Sequence, residues 1–285
     1  MKILAPAKIN LLLEVGTLER GFHELTSFVD IVDLYDVIEI KESLSTTVRF
    51  HPHAGIPEEN TVTACIALLK SLFNVKKGVS VTIRKNIPPG SGLAGGSSDA
   101  AAVLKALAKL WNLNLSAEQL LDAAARIGKD VPLFIHGKRC IMKGFGERIT
   151  PVSGSQPLVY FLAVPPYVVA TGVVYSRFDA LGLKGDLTGI DGKIKLLNDS
   201  IEKKDIKSAE LLMKNGLQIP YLDIWKQSKE VMDLLQETSG KRIFVSGSGG
   251  TLFSVFSDRR EAEAAARFLN VKGWKGYVVE SVITS

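Results

Sequence analysis

The sequence predicts an α+β protein of two domains, and three observations carry that prediction. Segments of approximate period-two alternation open the chain. Helical periodicity then takes over on either side of a glycine-rich loop, and beyond Pro157 the order of strands, helices and strands starts afresh. With 285 residues, 46% of them hydrophobic, the chain is long enough to bury two cores. The boundary is expected near residue 150, giving domains 1–150 and 151–285.

The elements follow in order. "KILAPAKINLLLEV" to Val15, "ELTSFVDIV" from Glu24 to Val32, "DVIEIKES" from Asp36 and "TTVRFHP" from Thr46 read as strands, being β-branched and roughly alternating. Behind Asn60, the residues Val62, Cys65, Ile66, Leu69 and Phe73 recur at helical spacing, and "GVSVTIRKNIPPG" alternates as a strand up to its proline pair. Past the loop, Ala100, Val103, Leu104, Leu107, Ala108 and Trp111 mark one face of a helix, with Ser97, Ser98 and Asp99 as its cap and first-turn candidates. Ser116 and Gln119 form a capping-box pattern for the next helix, and Gly128 supplies its stop.

The uncharged run from Ile149 to Ser176 is long enough to span a bilayer, yet it contains Pro151, Pro157, Pro165 and Pro166. Prolines at mid-span break the helix that spanning requires, so two buried strands joined by a turn are expected there. Further on come helices near 192–215 and 221–237, a strand at Arg242–Val245, a second glycine loop at Ser246–Gly250, the strand "TLFSVFS", a helix from Asp258 and the terminal strand "KGYVVES".

Composition excludes several classes. The 35 basic and 30 acidic residues are interspersed without a charged arm, and the net charge of +5 suits an anionic small molecule as well as RNA. Cys65 and Cys140 lack CxxC spacing, which argues against a disulfide framework or zinc site and fits a reducing, cytoplasmic setting. The N-terminus has no long apolar core of the signal-peptide kind.

The stretch "PPGSGLAGGSSDAAAVL" from Pro88 to Leu104 admits three phosphate-binding readings. Gly90, Gly92 and Gly95 satisfy GxGxxG, but a dinucleotide fold needs a further strand after the helix, and here a second helix follows. Gly90 to Ser97 has P-loop spacing, but Gly96 stands where the lysine belongs. The third reading is a loop of small residues whose N–H groups wrap phosphate, closed by a helix N-terminus that carries partial positive charge.

Three motifs in order, "APAKINLLLEV", "PPGSGLAGGSSDAA" and "VSGSGGTLFSVF", resemble those of the GHMP kinases. "GFHEL" and "GKDVPLFIHG" are similar to the branch that phosphorylates the tertiary hydroxyl of a cytidine-diphosphate sugar alcohol on the non-mevalonate route to isoprenoids. The resemblance implies a ribosomal-protein-like N-terminal domain that binds ATP and a ferredoxin-like C-terminal domain completing the substrate cleft. It also implies Mg2+, two small-molecule substrates, no nucleic acid or membrane partner, and a monomer or weak homodimer.

Residue by residue, the resemblance makes Lys8 and Asp130 catalytic. Asp130 would accept the hydroxyl proton as general base, and the ammonium of Lys8 would keep it ionised. It assigns ATP binding to Pro88, Pro89, Gly90, Ser91, Gly92, Leu93, Ala94, Gly95, Gly96, Ser97 and Ser98, with Asn60 and Lys85 beside the adenosine and Ser98 as a metal contact. Substrate binding falls to Asn10, Phe22, His23, Thr171 and Tyr175, the last stacking on the cytosine. The family form RPDGYHEL is "LERGFHEL" here, so a phenol is missing at Phe22 although its ring can still stack.

Pattern alone reads several of these residues otherwise. A lysine on an early strand, like Lys8, is expected in solvent, as is Lys85. Asp130, two residues before a proline, reads as a helix cap, His23 as structural or exposed, and Thr171 and Tyr175 as strand residues. Two rival functions stand beside the first: a GHMP kinase of the homoserine or mevalonate type, which needs no cytosine clamp, and an RNA-binding module, which should show a basic stripe with interleaved aromatics.

Overall fold

Side-chain caps and alternating burial lay out the elements of the computed structural model, which describes every residue except 20, 53, 54, 155, 284 and 285. In chain order these are β1 (Lys2–Glu19), β2 (Phe22–Ser43), β3 (Thr47–His51), α1 (Thr61–Leu72), β4 (Gly78–Arg84), α2 (Gly95–Leu110), α3 (Ala117–Ile127) and α4 (Val131–His136). There follow β5 (Cys140–Gly144), β6 (Arg148–Pro151), β7 (Val159–Val164), α5 (Thr171–Ala180), α6 (Ile190–Glu202), α7 (Ile206–Leu212) and β8 (Lys214–Asn215). The chain continues with α8 (Gln218–Ile224), α9 (Lys226–Ser239), β9 (Phe244–Val245), β10 (Leu252–Phe256), α10 (Arg259–Ala266) and β11 (Lys275–Glu280).

The contacts divide the chain into two compact units that interleave along it. The first comprises Met1–Ala7, Leu34–Pro89 and Ala94–Gly137; the second comprises Lys8–Asp33, Gly90–Leu93 and Lys138–Ser285. The chain makes its last crossing at Gly137, ahead of the boundary expected near residue 150.

In the first unit, β4 pairs antiparallel with Val37–Ser43 of β2 and parallel with β3. Val79, Val81 and Ile83 of β4 are buried, as are Ile38 and Ile40 of β2. Helices α1 to α4 pack on one another, burying Val62, Ile66 and Leu69 of α1 and Val103, Leu104 and Leu107 of α2. Asn60 starts α1 with a capping box completed by Thr63, and Ser116 starts α3 with one completed by Gln119.

The second unit holds a four-stranded antiparallel sheet in the order β11-β7-β10-β9. Numbered along the chain, that is fourth, first, third, second, the arrangement of the ferredoxin-like split β-α-β unit and the one expected. Its core takes Phe161 and Ala163 from β7, Leu252 and Phe256 from β10, and Tyr221, Met232 and Leu235 from the helices. In the same unit β5 pairs with Leu25–Val29 of β2, and β8 lies parallel to β1 at Leu12 and Leu13.

Three sequence readings are corrected. The two strands expected around Val32 and Asp36 are one, β2, because Asp33 and Tyr35 keep the outward positions while Leu34 and Asp36 point inward. The second strand expected before Ser176 is helix α5, since Val174 and Phe178, four residues apart, are buried in the core and burial overrides β propensity. The helix expected from Tyr221 to Glu237 is two, α8 and α9, meeting at Trp225, whose backbone is not helical.

A buried ionic network ties the second unit together. Asp30 accepts from Arg139 Nε at 3.2 Å and Nη2 at 3.1 Å, and from Tyr160 Oη and Ser281 Oγ, both at 2.6 Å. Burial and the charge of Asp30 push the Tyr160 phenol up, so it remains a donor. Removing the carboxylate leaves a buried guanidinium whose remaining counter-charge among the described residues is Glu202, 3.7 Å away. Asp30→Ala is therefore expected to lower the unfolding free energy in urea by about 3–5 kcal/mol; a loss under about 1 kcal/mol would show that the network does not hold the unit.

Candidate active site

The glycine loop leaves the first unit at Pro89 and re-enters it at Ala94. Ala94 adopts a left-handed backbone, φ 55°, and sits at the N-cap of the 16-residue helix α2, which no side chain caps. Of the cap and first-turn candidates, Ser97 and Ser98 fall in the first turn and Asp99 just beyond it, and none is the cap. Uncapped first-turn N–H groups at the end of a glycine loop are free to bind an anion. Gly95 is required because a Cβ there would come within 2.8 Å of Ile87 Cγ2, whereas one on Gly96 would meet only Thr61 Oγ1, at 3.5 Å. The hydroxyl of Ser98 is buried and has no hydrogen-bond partner among the described residues.

Beneath the loop lies a cluster that the sequence did not announce. Lys85, expected at the surface, is buried and donates to Asp36 and, at 2.6 Å, to Asp99 Oδ2. Burial, only partly countered by Lys85 and reinforced by the charge of Asp36, pushes the Asp99 carboxyl up to about 7. Burial alone would lower the Lys85 ammonium, but Asp99 and Asp36 together raise it.

The loop tip, Gly90 to Leu93, belongs to the second unit and is stitched there to the second glycine loop. Ser91 O accepts from Thr251 N at 3.0 Å and Thr251 Oγ1 at 2.7 Å; Gly92 O accepts from Ser246 Oγ at 3.2 Å; Val169 N donates to Gly90 O at 3.2 Å. Gly92 has φ 78°, and a Cβ on it would lie 2.4 Å from Ser246 O. Its bareness is therefore demanded by the neighbouring loop, so a larger side chain would disturb folding as well as any ligand. Behind the second loop, the Tyr221 ring would stand 2.4 Å from a Cβ on Gly249, while its hydroxyl meets Ser228 and Gly250 O.

Also in the second unit, Lys8 is buried rather than exposed and donates to Asn10 Oδ1; Asn10 Nδ2 donates to Ser27 Oγ at 2.8 Å. A Cβ on Gly247 would lie 3.1 Å from Lys8 Nζ, so the lysine ends against the second glycine loop. Lys8 N donates to Leu93 O at 3.2 Å. Thr171, at the start of α5 and not on a strand, shares a 2.9 Å hydrogen bond with Ser248.

The buried His23 ring stacks on Tyr175 at 5.4 Å and meets Phe178 edge-on. Its Nδ1 is 3.1 Å from Gly16 O, an acceptor, so Nδ1 carries the hydrogen. Nε2 lies 3.0 Å from Asp179 Oδ1 but has no aligned hydrogen-bond partner among the described residues. Phe22 is exposed and packs against Phe145.

Two predicted site residues remain in the first unit. Asn60 spends its whole amide on α1, accepting from Val62 N and Thr63 N and donating to Pro57 O and Glu58 O. Asp130 stands at the N-cap position of α4, where the pattern puts it, but its side chain makes no cap hydrogen bond. Sequence reasoning missed Asp36 and Asp179 as participants, and it singled out the motif that holds Ser246 and Thr251 without giving either side chain a role. An aspartate at an inward position of an otherwise apolar alternation was the signal available for Asp36.

Models of the GHMP kinases N terminal and C terminal domains match residues 60–138 and 197–275. A 4-diphosphocytidyl-2-C-methyl-D-erythritol kinase of Caldicellulosiruptor bescii is 34% identical, the alignment covering 100% of this chain and 98% of the relative. Its counterpart in Clostridium perfringens is 35% identical, covering 95% and 94%. A crystal structure of 4-(cytidine 5'-diphospho)-2C-methyl-D-erythritol kinase is similar with a TM-score of 0.82 at 29% identity, covering 99% of each chain. Homoserine kinase from Cytophaga hutchinsonii, at TM-score 0.70 and 17% identity over 99% of this chain and 94% of that one, shares the fold.

The raised Asp99 carboxyl makes stability pH-dependent with a defined sign. The native state holds a proton up to about 7 that the unfolded chain releases near 3.8, so this contribution is present at low pH and lost as pH rises towards 7. Between about pH 5 and 7, the unfolding free energy of the wild type should fall relative to that of Asp99→Asn by up to about 1.4 kcal/mol per pH unit. Denaturation curves that stay parallel across that range would contradict it.

Proposed function

The chain belongs to the 4-diphosphocytidyl-2-C-methyl-D-erythritol kinase family of the GHMP kinases, and we propose that it transfers the γ-phosphoryl of ATP to the tertiary 2-hydroxyl of 4-diphosphocytidyl-2-C-methyl-D-erythritol, in the non-mevalonate route to isoprenoids. One observation carries the reading: a glycine loop without a lysine runs into the uncapped N-terminus of a long helix. Such a terminus offers oriented N–H groups and a partial positive charge to phosphate.

Phosphoryl transfer to an alcohol needs little covalent help, so positioning and charge supply the rate. The loop N–H groups of residues 90–97 bind the nucleotide phosphates. Asp130, released from capping, accepts the hydroxyl proton. Lys8, fixed by Asn10, supplies positive charge for the oxyanion that develops. Mg2+ would supply charge neutralisation at the nucleotide phosphates. The buried, unpartnered Ser98 hydroxyl fits as its one protein contact, in keeping with the absence of a His, Cys, Asp or Glu cluster of metal-binding size among the described residues.

On the substrate side, His23 and Tyr175 read the cytosine, with Phe22 as an exposed ring able to stack. Thr171 lines the same groove. A kinase of the homoserine or mevalonate type would have no use for this aromatic pair. A cytoplasmic location suits two unpaired, buried cysteines, and no helix of the described residues is long and apolar enough to cross a membrane.

Given ATP and a choice of 4-diphosphocytidyl-2-C-methyl-D-erythritol, homoserine or mevalonate, the purified protein should phosphorylate only the first; turnover of either other alcohol at a comparable rate would overturn the assignment. Asp130→Asn should melt at the wild-type temperature while turnover falls roughly 10²–10⁴-fold. Retention of more than about a tenth of turnover under saturating substrates would remove Asp130 from the chemistry. His23→Ala should raise KM for the cytidine substrate by about 5–30-fold, the equivalent of one or two kcal/mol, and leave KM for ATP unchanged; equal rises would show that His23 is structural.

A further inference from the structure

Lys85, Asp36 and Asp99 have side-chain exposures of 5%, 0% and 1%. They stand at three places in the first unit: just past the end of β4, within β2 and just beyond the first turn of α2. Asp36 Oδ1 accepts from the backbone N–H of Asn86 at 2.6 Å and of Ile87 at 2.9 Å, the residues that carry the chain into the glycine loop. Asn86 Nδ2 adds a 2.7 Å bond to Tyr35 O. Asp36 Oδ2 accepts from Lys85, and Lys85 donates onward to Asp99 Oδ2 at 2.6 Å, where the chain has left the loop and entered the helix. A Cβ on Gly95 would meet Ile87 Cγ2 at 2.8 Å and Lys85 Nζ at 3.3 Å, so the two stems of the loop touch directly above the cluster.

Burying an ammonium with two acidic side chains is costly, and apolar residues of similar volume would stabilise such a site as well or better. What ions supply and apolar groups do not is direction: each bond here has a fixed donor, acceptor and angle. We propose that Asp36, Lys85 and Asp99 are positioning residues for nucleotide binding, a buried ionic strut that fixes the two stems of the glycine loop against each other so that its N–H groups stay convergent. Lys85 then serves the nucleotide through the loop, with its charge spent on the two carboxylates. A displaced stem turns N–H groups away from phosphate without touching the alcohol site, so the strut acts on one substrate only.

This inference rests on the kinase reading, and the two fail differently. Without ATP-dependent turnover of the cytidine substrate by the wild type, the kinase reading fails. With it, the strut is tested by Asp99→Ala, which frees α2 from Lys85, and Asp99→Asn, whose amide oxygen still accepts from Lys85. Asp99→Ala should raise KM for ATP about tenfold and leave KM for the alcohol within about twofold, while Asp99→Asn returns KM for ATP to near the wild-type value. KM reads only folded, active molecules, so a partly unfolded variant still reports. Should Asp99→Ala yield no folded protein, Asp99→Ser, with a shorter acceptor, should show an intermediate rise confined to ATP. An unchanged KM for ATP in the variant used, or equal rises for both substrates, would overturn the proposal, as would an asparagine variant no better than alanine.

Discussion

Backbone N–H groups bind phosphate only if the backbone is held still, and a glycine loop does not hold itself still. Glycine loses more conformational freedom on ordering than any other residue. The loop from Pro88 to Ser98 contains no lysine to compensate by charge, so its geometry has to come from neighbours. At the stems, Asp36 and Lys85 grip the entering and leaving chain. At the tip, Thr251 and Ser246 hold Ser91 and Gly92 by their carbonyl oxygens. Bonds to carbonyls have a useful consequence, because they leave the N–H groups of the same peptides for a ligand.

The same economy governs the cations. Lys8, Lys85 and Arg139 are buried, and each meets an acceptor placed by a strand or helix: Asn10 for the first, Asp36 and Asp99 for the second, Asp30 for the third. A buried cation without such a partner would be expelled or neutralised. Lys8 differs from the others in having a neutral acceptor, the amide of Asn10.

Much of this was legible in the sequence. The capping box at Ser116, the strand-loop-helix setting of the glycine loop, and the restart of the pattern beyond Pro157 follow from local signals, and local signals decide local structure. Lys8 and Asn10, two residues apart, share one face of β1 by side-chain alternation, and the structure joins them there. What could not be read was set by partners distant in the chain. Lys85 looked exposed because Asp36 lies 49 positions away, and helix α5 looked like a strand because Val174 and Phe178 are placed by the core rather than by propensity. Asp130 shows the reverse: its sequence context puts it at a cap, and only the structure shows that the cap hydrogen bond is missing.

The account depends most on the backbone of the glycine loop being the phosphate site. Amide chemical shifts of the isotope-labelled protein, followed while a non-hydrolysable ATP analogue is added, address it directly. The account predicts that the largest shifts belong to Gly92, Gly95, Gly96 and Ser97, whose N–H groups would take up hydrogen bonds to phosphate. Shifts concentrated elsewhere, with those four amides unmoved at saturation, would contradict it.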